Sequence, residues 1–389
     1  MGHSKDRDAG VLSMNKLLFF YPSPYPFKNY STLCNELRTT LPGVMTRPAD
    51  RKRGKGMVIE MSRKDDAATA GGDDPLLSKV ELPLRVVYYP LGFAVEITTN
   101  SPAILHAASE SWGHLYRRHA DPILHLRIGV TDGGPAECPP APVVRGQRHL
   151  LSFISDAHNQ AFCDVNAGFA FAWFSDGTLH YPGYLRYHFL EAMALALIST
   201  CCVTPIHAAC VSYQGHGMLL CGESGAGKST LAYACARKGW TFTSDDASYL
   251  QRNADRPCII GNSYQFRFRP SARELFPELK GRSLTPRAEG KPSIEVPSAE
   301  LPIFARSDEA HVHSIVFLKR QPSTFAALRA LPGKTAVDYF SRTLYPVGEV
   351  AQRQAAILQR LSHAAAYELV YEDLEQAVDC LALLAQARP

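Results

Sequence analysis

The sequence lacks any C-x-x-C pair, although it contains ten cysteines, and their spacing follows no regular pattern. This argues against the paired ligands of a structural zinc site and against the disulfide framework of a small secreted domain. Most of the cysteines, such as Cys163, Cys210, Cys221 and Cys235, lie within apolar stretches. We therefore expect small buried thiols in a reducing, cytoplasmic compartment.

Long apolar runs are also missing, and no stretch approaches the length that crosses a membrane. Residues 17–21 are too short for a signal-peptide core and lead straight into Pro22. The net charge is only +4, and the short basic run at 51–55 is typical of a solvated linker. We therefore expect neither a membrane nor a nucleic acid as a partner.

The 389 residues are enough for two or three domains, and a hydrophobic content of 46% supports a sizeable core. No internal repeat is visible. Residues 1–13 are polar and are predicted to form a disordered tail. A smaller N-terminal mixed α/β domain is predicted over 14–182, with a flexible, charged insertion around 48–78. A second α/β domain is predicted over 183–389.

Alternating and β-rich segments predict the strands of the first domain. They lie at 85–89, 94–98, 123–130, 150–154, 161–165 and 169–174. Ser101 is predicted to cap a helix that runs to about Arg118, and 132–142 is predicted as a loop. The predicted helix 184–200 is apolar on most sides, so we expect it to be buried and to join the two domains.

In the second domain, strands are predicted at 206–213, 218–221, 240–244, 265–268, 312–318 and 367–370. Helices are predicted at 229–238, 349–363 and 374–387, with Gly239 at the C-terminal cap of the first. The segment 282–300 is predicted as a loop. A hairpin turn at 214–217 is predicted to set strand 206–213 beside strand 218–221.

One motif dominates the second domain: a short apolar strand runs into the pattern G-x-x-x-x-G-K-[ST], and a helix follows. Its residues are Gly222, Glu223, Ser224, Gly225, Ala226, Gly227, Lys228, Ser229 and Thr230. The glycines let successive backbone N–H groups face phosphate oxygens, and the helix adds its positive N-terminal end. Lys228 is expected to reach the outer phosphates, and the Ser229 hydroxyl to hold Mg²⁺. The motif predicts a site for a nucleoside triphosphate or a similar polyphosphate.

Two adjacent carboxylates, Asp245 and Asp246, end the strand that follows the phosphate-loop helix. In open α/β sheets, ligands bind at the carboxyl ends of the strands. One carboxylate can hold Mg²⁺, and the other can accept a proton from an attacking hydroxyl. A helix cap or turn pair is the structural alternative. His207 opens the strand that the hairpin sets beside the phosphate loop, and a purely structural role is its alternative.

Three runs together resemble the catalytic domain of HPr kinase/phosphorylase, and still more the HPr-kinase-related serine kinases found near peptide-maturation genes. The runs are 205–209, 217–230 and 238–246. In that family a histidine begins the strand before the loop, and a strand ending in two acidic residues follows the loop helix. The resemblance covers about 200–320, and the C-terminal strand and helix also fit.

The resemblance implies an α/β fold, namely the P-loop kinase core of the type shared with phosphoenolpyruvate carboxykinase. It implies phosphoryl transfer from ATP to a serine hydroxyl of a peptide or small protein. The bifunctional relatives are oligomers, which makes a homo-oligomer an option here. Carried over by position, Lys228 and Ser229 bind phosphate and Mg²⁺, Asp245 is the base, and Asp246 is a metal-side or supporting acid. His207 is implied to be a catalytic-site residue that either lies on the phosphate side or supports the acids from behind.

The chain departs from the bifunctional enzymes, because their glycine-rich signature with a Glu-Arg pair is missing after the two acids. This argues against phosphorylase activity and against HPr as the substrate. Arg267 and Lys291 are candidates for contacts to the transferring phosphate, with a solvated surface charge as the alternative for each. Glu295 is a weaker candidate for a metal-side acid.

Two other functions stay open at the level of the sequence. The loop can hold ATP or GTP as a switch, with water as the attacking group and the N-terminal region contacting a partner. The chain can also be a kinase of a small metabolite. ATP is expected over GTP by resemblance alone, because no base-reading motif is evident. The residues expected to select the acceptor lie in 80–200 and 261–300.

Overall fold

The computed structural model describes residues 81–284, 292–303, 305–342, 344 and 348–387. The predicted tail at 1–13, the predicted insertion around 48–78 and the candidate Lys291 lie outside these described residues. The predicted boundary after residue 182 stays a prediction. The described chain is a mixed α/β fold with several sheets, which confirms the predicted α/β class.

The first sheet of the described chain has seven strands in the order β1-β2-β3-β7-β6-β5-β4. They are β1 (Leu84–Tyr88), β2 (Val95–Thr99), β3 (Leu124–Thr131), β4 (Val143–Gln147), β5 (Leu150–Ile154), β6 (Gln160–Asp164) and β7 (Phe169–Ser175). Strand β3 runs parallel to β2 and β7, and the other pairs are antiparallel. The buried residues of this sheet alternate along β3, β6 and β7, so one face of the sheet packs on the core.

Two helices cover that face. Helix α1 (Pro102–Trp112) packs against β1 and β2, and helix α2 (Glu191–Cys201) packs against β3, β6 and β7. A short helix (Pro182–Leu185) and a π-helical turn (Arg186–Leu190) lead into α2. Nearly every residue of α2 is buried, as its all-round apolar sequence predicts.

The second sheet contains the phosphate-loop strand. In the described chain it runs in the order β16-β11-β9-β10-β17-β13-β12-β8, with β19 beside β17 and β18 beside β19. Its strands are β8 (Val203–His207), β9 (Ala209–Tyr213), β10 (His216–Cys221), β11 (Thr241–Ser244), β12 (Ala247–Gln251), β13 (Cys258–Gly261), β16 (Ala305–Arg306), β17 (Glu309–Arg320), β18 (Ala327–Leu331) and β19 (Ala365–Tyr371). A separate pair, β14 (Gln265–Phe268) and β15 (Ile294–Pro297), is antiparallel.

Helices pack on both faces of the second sheet, so its central strands are buried on both sides. Helix α3 (Lys228–Arg237) and helix α6 (Leu374–Gln386) share one core with Met218, Leu220 and Val316. Helix α4 (Lys334–Ser341) and helix α5 (Gly348–Leu358) contribute to the core on the other face, with Leu219 and Ile315. Because neighbouring residues of one strand enter opposite cores, these strands appear as continuous apolar runs in the sequence.

Several predicted elements are confirmed within one or two residues. The predicted strand 265–268 is β14, the predicted helix 229–238 is α3, and the predicted helix 374–387 is α6. Gly239 adopts φ +87° directly after α3, as expected of a residue at a helix C-terminus.

The prediction of a single strand over 206–213 is wrong. This segment belongs to two strands, β8 and β9, which are separated at Ala208. The N–H of Ala208 bonds to the carbonyl of Ile206. Strand β9 pairs with β10 as the hairpin predicted, but β8 pairs with β12 at the far edge of the sheet. Local alternation cannot show this break, because both halves are apolar and extended.

Two further predictions need correction. The helix predicted to reach Arg118 ends at Trp112, because the backbone N–H groups of Arg118 and His119 instead bond to the carbonyl of Gly92. The predicted loop 282–300 contains β15 in its described part, since its partner β14 supplies the hydrogen bonds for an extended segment.

Of the described helices, none is long and apolar enough to cross a membrane.

Candidate active site

The phosphate loop joins the buried strand β10 to helix α3 in the centre of the second sheet. Gly225 and Gly227 adopt φ +93° and +98°, which L side chains rarely adopt. A Cβ on Gly227 would also lie 2.7 Å from the Tyr371 hydroxyl, which itself donates to the carbonyl of Ala226 at 3.3 Å. The loop is therefore shaped by its glycines and by a tyrosine at the end of β19.

Lys228 is buried inside the loop rather than extended into solvent. Its ammonium group donates to the carbonyls of Gly222 at 2.8 Å and Glu223 at 3.4 Å. Burial lowers the pKa of Lys228, and the Asp246 carboxylate opposes that shift. The same ammonium can exchange these carbonyls for phosphate oxygens, which are stronger acceptors for a cation.

The remaining residues of the phosphate loop differ in their exposure to solvent. Glu223, Ser224 and Gly225 form the exposed tip, whereas Ala226, Gly227, Ser229 and Thr230 are partly buried at the start of α3. The hydroxyl of Ser229 donates to the backbone carbonyl of Asp245 at 3.3 Å. This contact ties the start of α3 to the end of β11, so the loop and the acidic pair share one edge of the sheet.

Asp245 is almost fully buried and accepts a hydrogen bond from the backbone N–H of Arg267 at 2.5 Å. Its pKa is raised to about 7, first by burial and then by the charge of Asp246, while Arg267 opposes the shift. A carboxyl group with a pKa near neutrality can exchange a proton at physiological pH.

Asp246 has different surroundings from its neighbour. Its side chain is 30% exposed, and its Oδ1 lies 3.4 Å from Nδ1 of His207. The charge of Asp246 raises the pKa of Lys228, against the larger effect of burial. The two adjacent side chains therefore diverge, as the sequence predicted for the end of a strand.

His207 reaches this edge by a route that the sequence analysis did not predict. It is the last residue of β8, and it pairs with Ala247 of β12, directly after Asp246. The predicted hairpin beside the phosphate-loop strand is therefore not what places it. The pairing of β8 with β12 brings the histidine to the acidic pair.

Arg267 and Glu295 face each other across the β14–β15 pair. The Nε of Arg267 lies 3.6 Å from Oε1 of Glu295, and both side chains are at most 10% exposed. Glu295 also accepts hydrogen bonds from Gln265 at 3.4 Å and Ser293 at 3.3 Å. The structure therefore places Arg267 beside Asp245 through its backbone and beside Glu295 through its side chain.

Sequence reasoning missed two residues at the phosphate loop. Arg269 is exposed, and its Nη2 lies 3.3 Å from the Ser224 hydroxyl at the loop tip. Tyr371 holds the Ala226 carbonyl on the other side of the loop. The sequence signal for Arg269 was its position two residues after the candidate Arg267, directly after β14.

The donors at this edge fit a nucleotide-bound magnesium ion. Such an ion takes most of its oxygens from phosphates and water, and needs only a hydroxyl and one or two carboxylates from the protein. Ser229, Asp245 and Asp246 supply these groups at one edge. The described residues hold no cluster of three or more His, Cys, Asp or Glu side chains able to bind a metal by themselves.

No family model and no curated protein matches this chain. Among solved structures, it is similar to the Hpr(Ser) kinase/phosphatase from Coxiella burnetii, with a TM-score of 0.25 and 14% sequence identity. The match covers 46% of this chain and 90% of that chain. A likeness of this size carries no argument about chemistry.

Proposed function

We propose that this protein is an ATP-dependent phosphotransferase that passes the γ-phosphoryl group to a serine hydroxyl of a peptide or small protein. The observation that carries the proposal is the meeting of the phosphate loop with Asp245, Asp246 and His207 at one edge of the second sheet. A phosphate grip alone is compatible with many functions, whereas an adjacent carboxyl group of raised pKa supports transfer to a hydroxyl.

The phosphate loop holds the donor in this proposal. Backbone N–H groups of the loop and the positive end of α3 neutralise phosphate charge, and Lys228 adds a cation that is already desolvated. Arg269, the residue after β14, reaches the loop tip and adds a second cation. ATP would supply the γ-phosphoryl group and leave as ADP, and a bound Mg²⁺ would neutralise phosphate charge. Ser229 and Asp246 are the proposed metal-side residues.

Asp245 is the proposed base. Its carboxyl group accepts the proton of the attacking hydroxyl, while the Arg267 N–H keeps it in one orientation. Asp246 contributes in two ways, because its negative charge raises the pKa of Asp245 and also the pKa of Lys228. His207 positions Asp246 from the end of β8. The reverse assignment of the two acids is the direct alternative.

The kinase core of the HPr kinase and phosphoenolpyruvate carboxykinase type belongs to the same proposal. It is supported by the strand, loop and helix order and by the two acids at the end of β11. A homo-oligomeric assembly stays a prediction from the resemblance. The role of Lys291, a cytoplasmic location and the lack of nucleic-acid and membrane partners stay predictions from the sequence.

The test is incubation with γ-labelled ATP, Mg²⁺ and a library of serine-containing peptides, with mass spectrometry of the products. We expect phosphoserine, and loss of all labelling in Lys228→Ala. Asp245→Asn should lose transfer but retain binding of a fluorescent ATP analogue, whereas Asp246→Asn should weaken magnesium-dependent nucleotide binding. Retained transfer by Asp245→Asn would show that Asp245 is not the base.

The same assay separates the two other functions. Fast phosphate release with no labelled peptide would identify a nucleotide-dependent switch. Labelling of small hydroxyl compounds but not of peptides would identify a metabolite kinase. Both outcomes contradict the proposed acceptor while leaving the phosphate loop as a nucleotide site.

A further inference from the structure

A cavity of about 180 Å³ lies between the two sheets, beside the acidic edge of the second one. One wall comes from α1 and the segment after it, with Ser111, Leu115 and Arg118, and from Glu191 at the start of α2. The opposite wall comes from the second sheet and its loops. Tyr264 lines the cavity and is 48% exposed, so the cavity reaches the surface there.

The cavity is close to the proposed base. Gly261 lines it, and a Cβ on Gly261 would lie 2.3 Å from the carbonyl oxygen of Thr243 and 2.9 Å from Cβ of Ser244. Ser244 directly precedes Asp245. Gln265 also lines the cavity and donates to Glu295, which pairs with Arg267. One layer of residues therefore separates the cavity from the residues around Asp245.

Two carboxyl groups, Asp308 and Glu191, line the described walls of the cavity, and they differ in how a cation meets them. Asp308 is bonded to Arg118 at 2.6 Å, which neutralises that pair. Glu191 is 4% exposed, and its described hydrogen bond comes from the neutral hydroxyl of Ser111 at 2.7 Å. Arg186, whose charge acts on Glu191, is bonded to Glu110 at 2.9 Å. Burial raises the pKa of Glu191, and the hydrogen bond from Ser111 and the charge of Arg186 oppose that shift. A cation that entered the cavity would favour the ionised form of Glu191.

The size and the other walls restrict the occupant. Leu91, Leu115, Tyr249 and Pro297 make much of the lining apolar. A cavity of about 150 Å³ holds a benzene-sized group, so this one holds a single long side chain rather than a whole peptide. An apolar stem with a cationic end matches both the walls and Glu191, and this is the structure of a lysine or arginine side chain.

We propose that this cavity is a specificity pocket for one basic side chain of the acceptor peptide, with Glu191 as its counter-ion. The pocket would seat that side chain while the serine of the same peptide reaches Asp245. This inference rests on the proposed function, and it names the class of acceptor that the site selects.

The test is a positional-scanning library of serine peptides, in which each flanking position is fixed in turn as lysine, arginine or alanine, with labelled ATP as donor. The protein should prefer a basic residue at one flanking position by about tenfold or more in kcat/KM over the matched alanine peptide. Glu191→Gln keeps the acceptor atom for Ser111 and should abolish that preference. Leu115→Trp fills the pocket and should abolish the preference for a basic residue without changing the charge of Glu191.

Glu137→Gln is the matched control, because Glu137 is exposed, belongs to the same half of the chain and does not line the cavity. It should keep the full preference. Fluorescent ATP binding and thermal unfolding show that each variant is folded. Labelled peptides with no basic preference, or a preference that survives in both pocket variants, would overturn the pocket and leave the kinase proposal standing. Nucleotide binding with no labelled peptide would overturn both.

Discussion

Asp245 and Asp246 are adjacent in the chain and differ in nearly every physical property. Asp245 is buried and bonded to the Arg267 backbone, whereas Asp246 is partly exposed and faces His207. The two residues form the bend between β11 and β12, and the elements around the bend determine what each side chain meets. The proposed division of roles between base and metal-side acid follows from that difference.

The buried carboxyl group makes stability depend on pH. The pKa of Asp245 is raised from 3.8 to about 7, so its contribution to stability is fully present below pH 4 and is lost as pH rises through 7. Asp245→Asn keeps an acceptor for the Arg267 N–H and removes the charge. Its unfolding free energy should exceed that of the unsubstituted protein by up to about 4 kcal/mol at pH 8, and by much less at pH 5.

Denaturant unfolding of the nucleotide-free and metal-free protein at both pH values measures this difference. Asp246→Asn removes the second cause of the raised pKa, so it should reduce the loss of stability between pH 5 and pH 8. A difference between Asp245→Asn and the unsubstituted protein that does not change with pH would mean that the charge of Asp245 is not the cause.

Arg267 and Arg269 also differ in burial, and we propose the exposed Arg269 for the phosphate contact. Arg269→Ala should lower phosphoryl transfer about tenfold or more and change the unfolding free energy by less than about 0.5 kcal/mol, because the side chain is exposed. Arg267→Ala leaves the buried Glu295 without its cation and should cost about 3 kcal/mol of stability. Paired kinetic and unfolding measurements check both. Equal loss of stability in the two variants would contradict the assignment.

At the scale of the element, the strand, loop and helix of the phosphate site form one rigid unit. Helix α3 begins at Lys228 and ends before Gly239, and both flanking glycines, Gly227 and Gly239, adopt positive φ. They differ in their surroundings, because a Cβ added to Gly227 would meet the Tyr371 hydroxyl, whereas a Cβ added to Gly239 would point into open space. Alanine substitutions at these two positions therefore distinguish the cost of backbone strain alone from the added cost of a steric contact.

Gly227→Ala should abolish nucleotide binding, since its Cβ meets Tyr371 and forces the loop away from its conformation. Gly239→Ala should cost only backbone strain, about 1 kcal/mol, and leave nucleotide binding intact. Titration with a fluorescent ATP analogue, together with thermal unfolding, measures both effects. Nucleotide binding by Gly227→Ala at the affinity of the unsubstituted protein would show that the loop tolerates a different conformation.

At the scale of the whole molecule, the two sheets are joined by contacts between distant segments. Arg118 bonds to Asp308 at 2.6 Å, with side chains 19% and 17% exposed. Gln354 of α5 donates to the carbonyl of Ser199 in α2, and both are buried. The first of these contacts also joins two lining residues of the cavity between the sheets, because Arg118 and Asp308 both line it.

A double-mutant cycle on Arg118→Ala and Asp308→Ala should give a coupling free energy of about 1–2 kcal/mol, because the pair is largely desolvated. The pair Asp121 and Asn253 is the control, since it also joins the two halves but its hydrogen bond is exposed. Its cycle should give less than about 0.5 kcal/mol. Denaturant unfolding of the four proteins of each cycle measures the coupling. Equal coupling in both cycles would show that burial does not strengthen the first pair.

The amino-acid sequence by itself determined the phosphate loop, helix α3 with Gly239 after it, and the two acids at the end of β11, because each depends on neighbours in the chain. It also showed the α/β class, through apolar runs of strand length alternating with helical segments. Only the tertiary structure decided how His207 reaches Asp246, that Arg269 rather than the Arg267 side chain meets the loop, and that Glu191 lines a cavity near Asp245. These depend on strand pairing and packing between segments far apart in sequence, and local patterns carry no record of which partner a strand or side chain will meet.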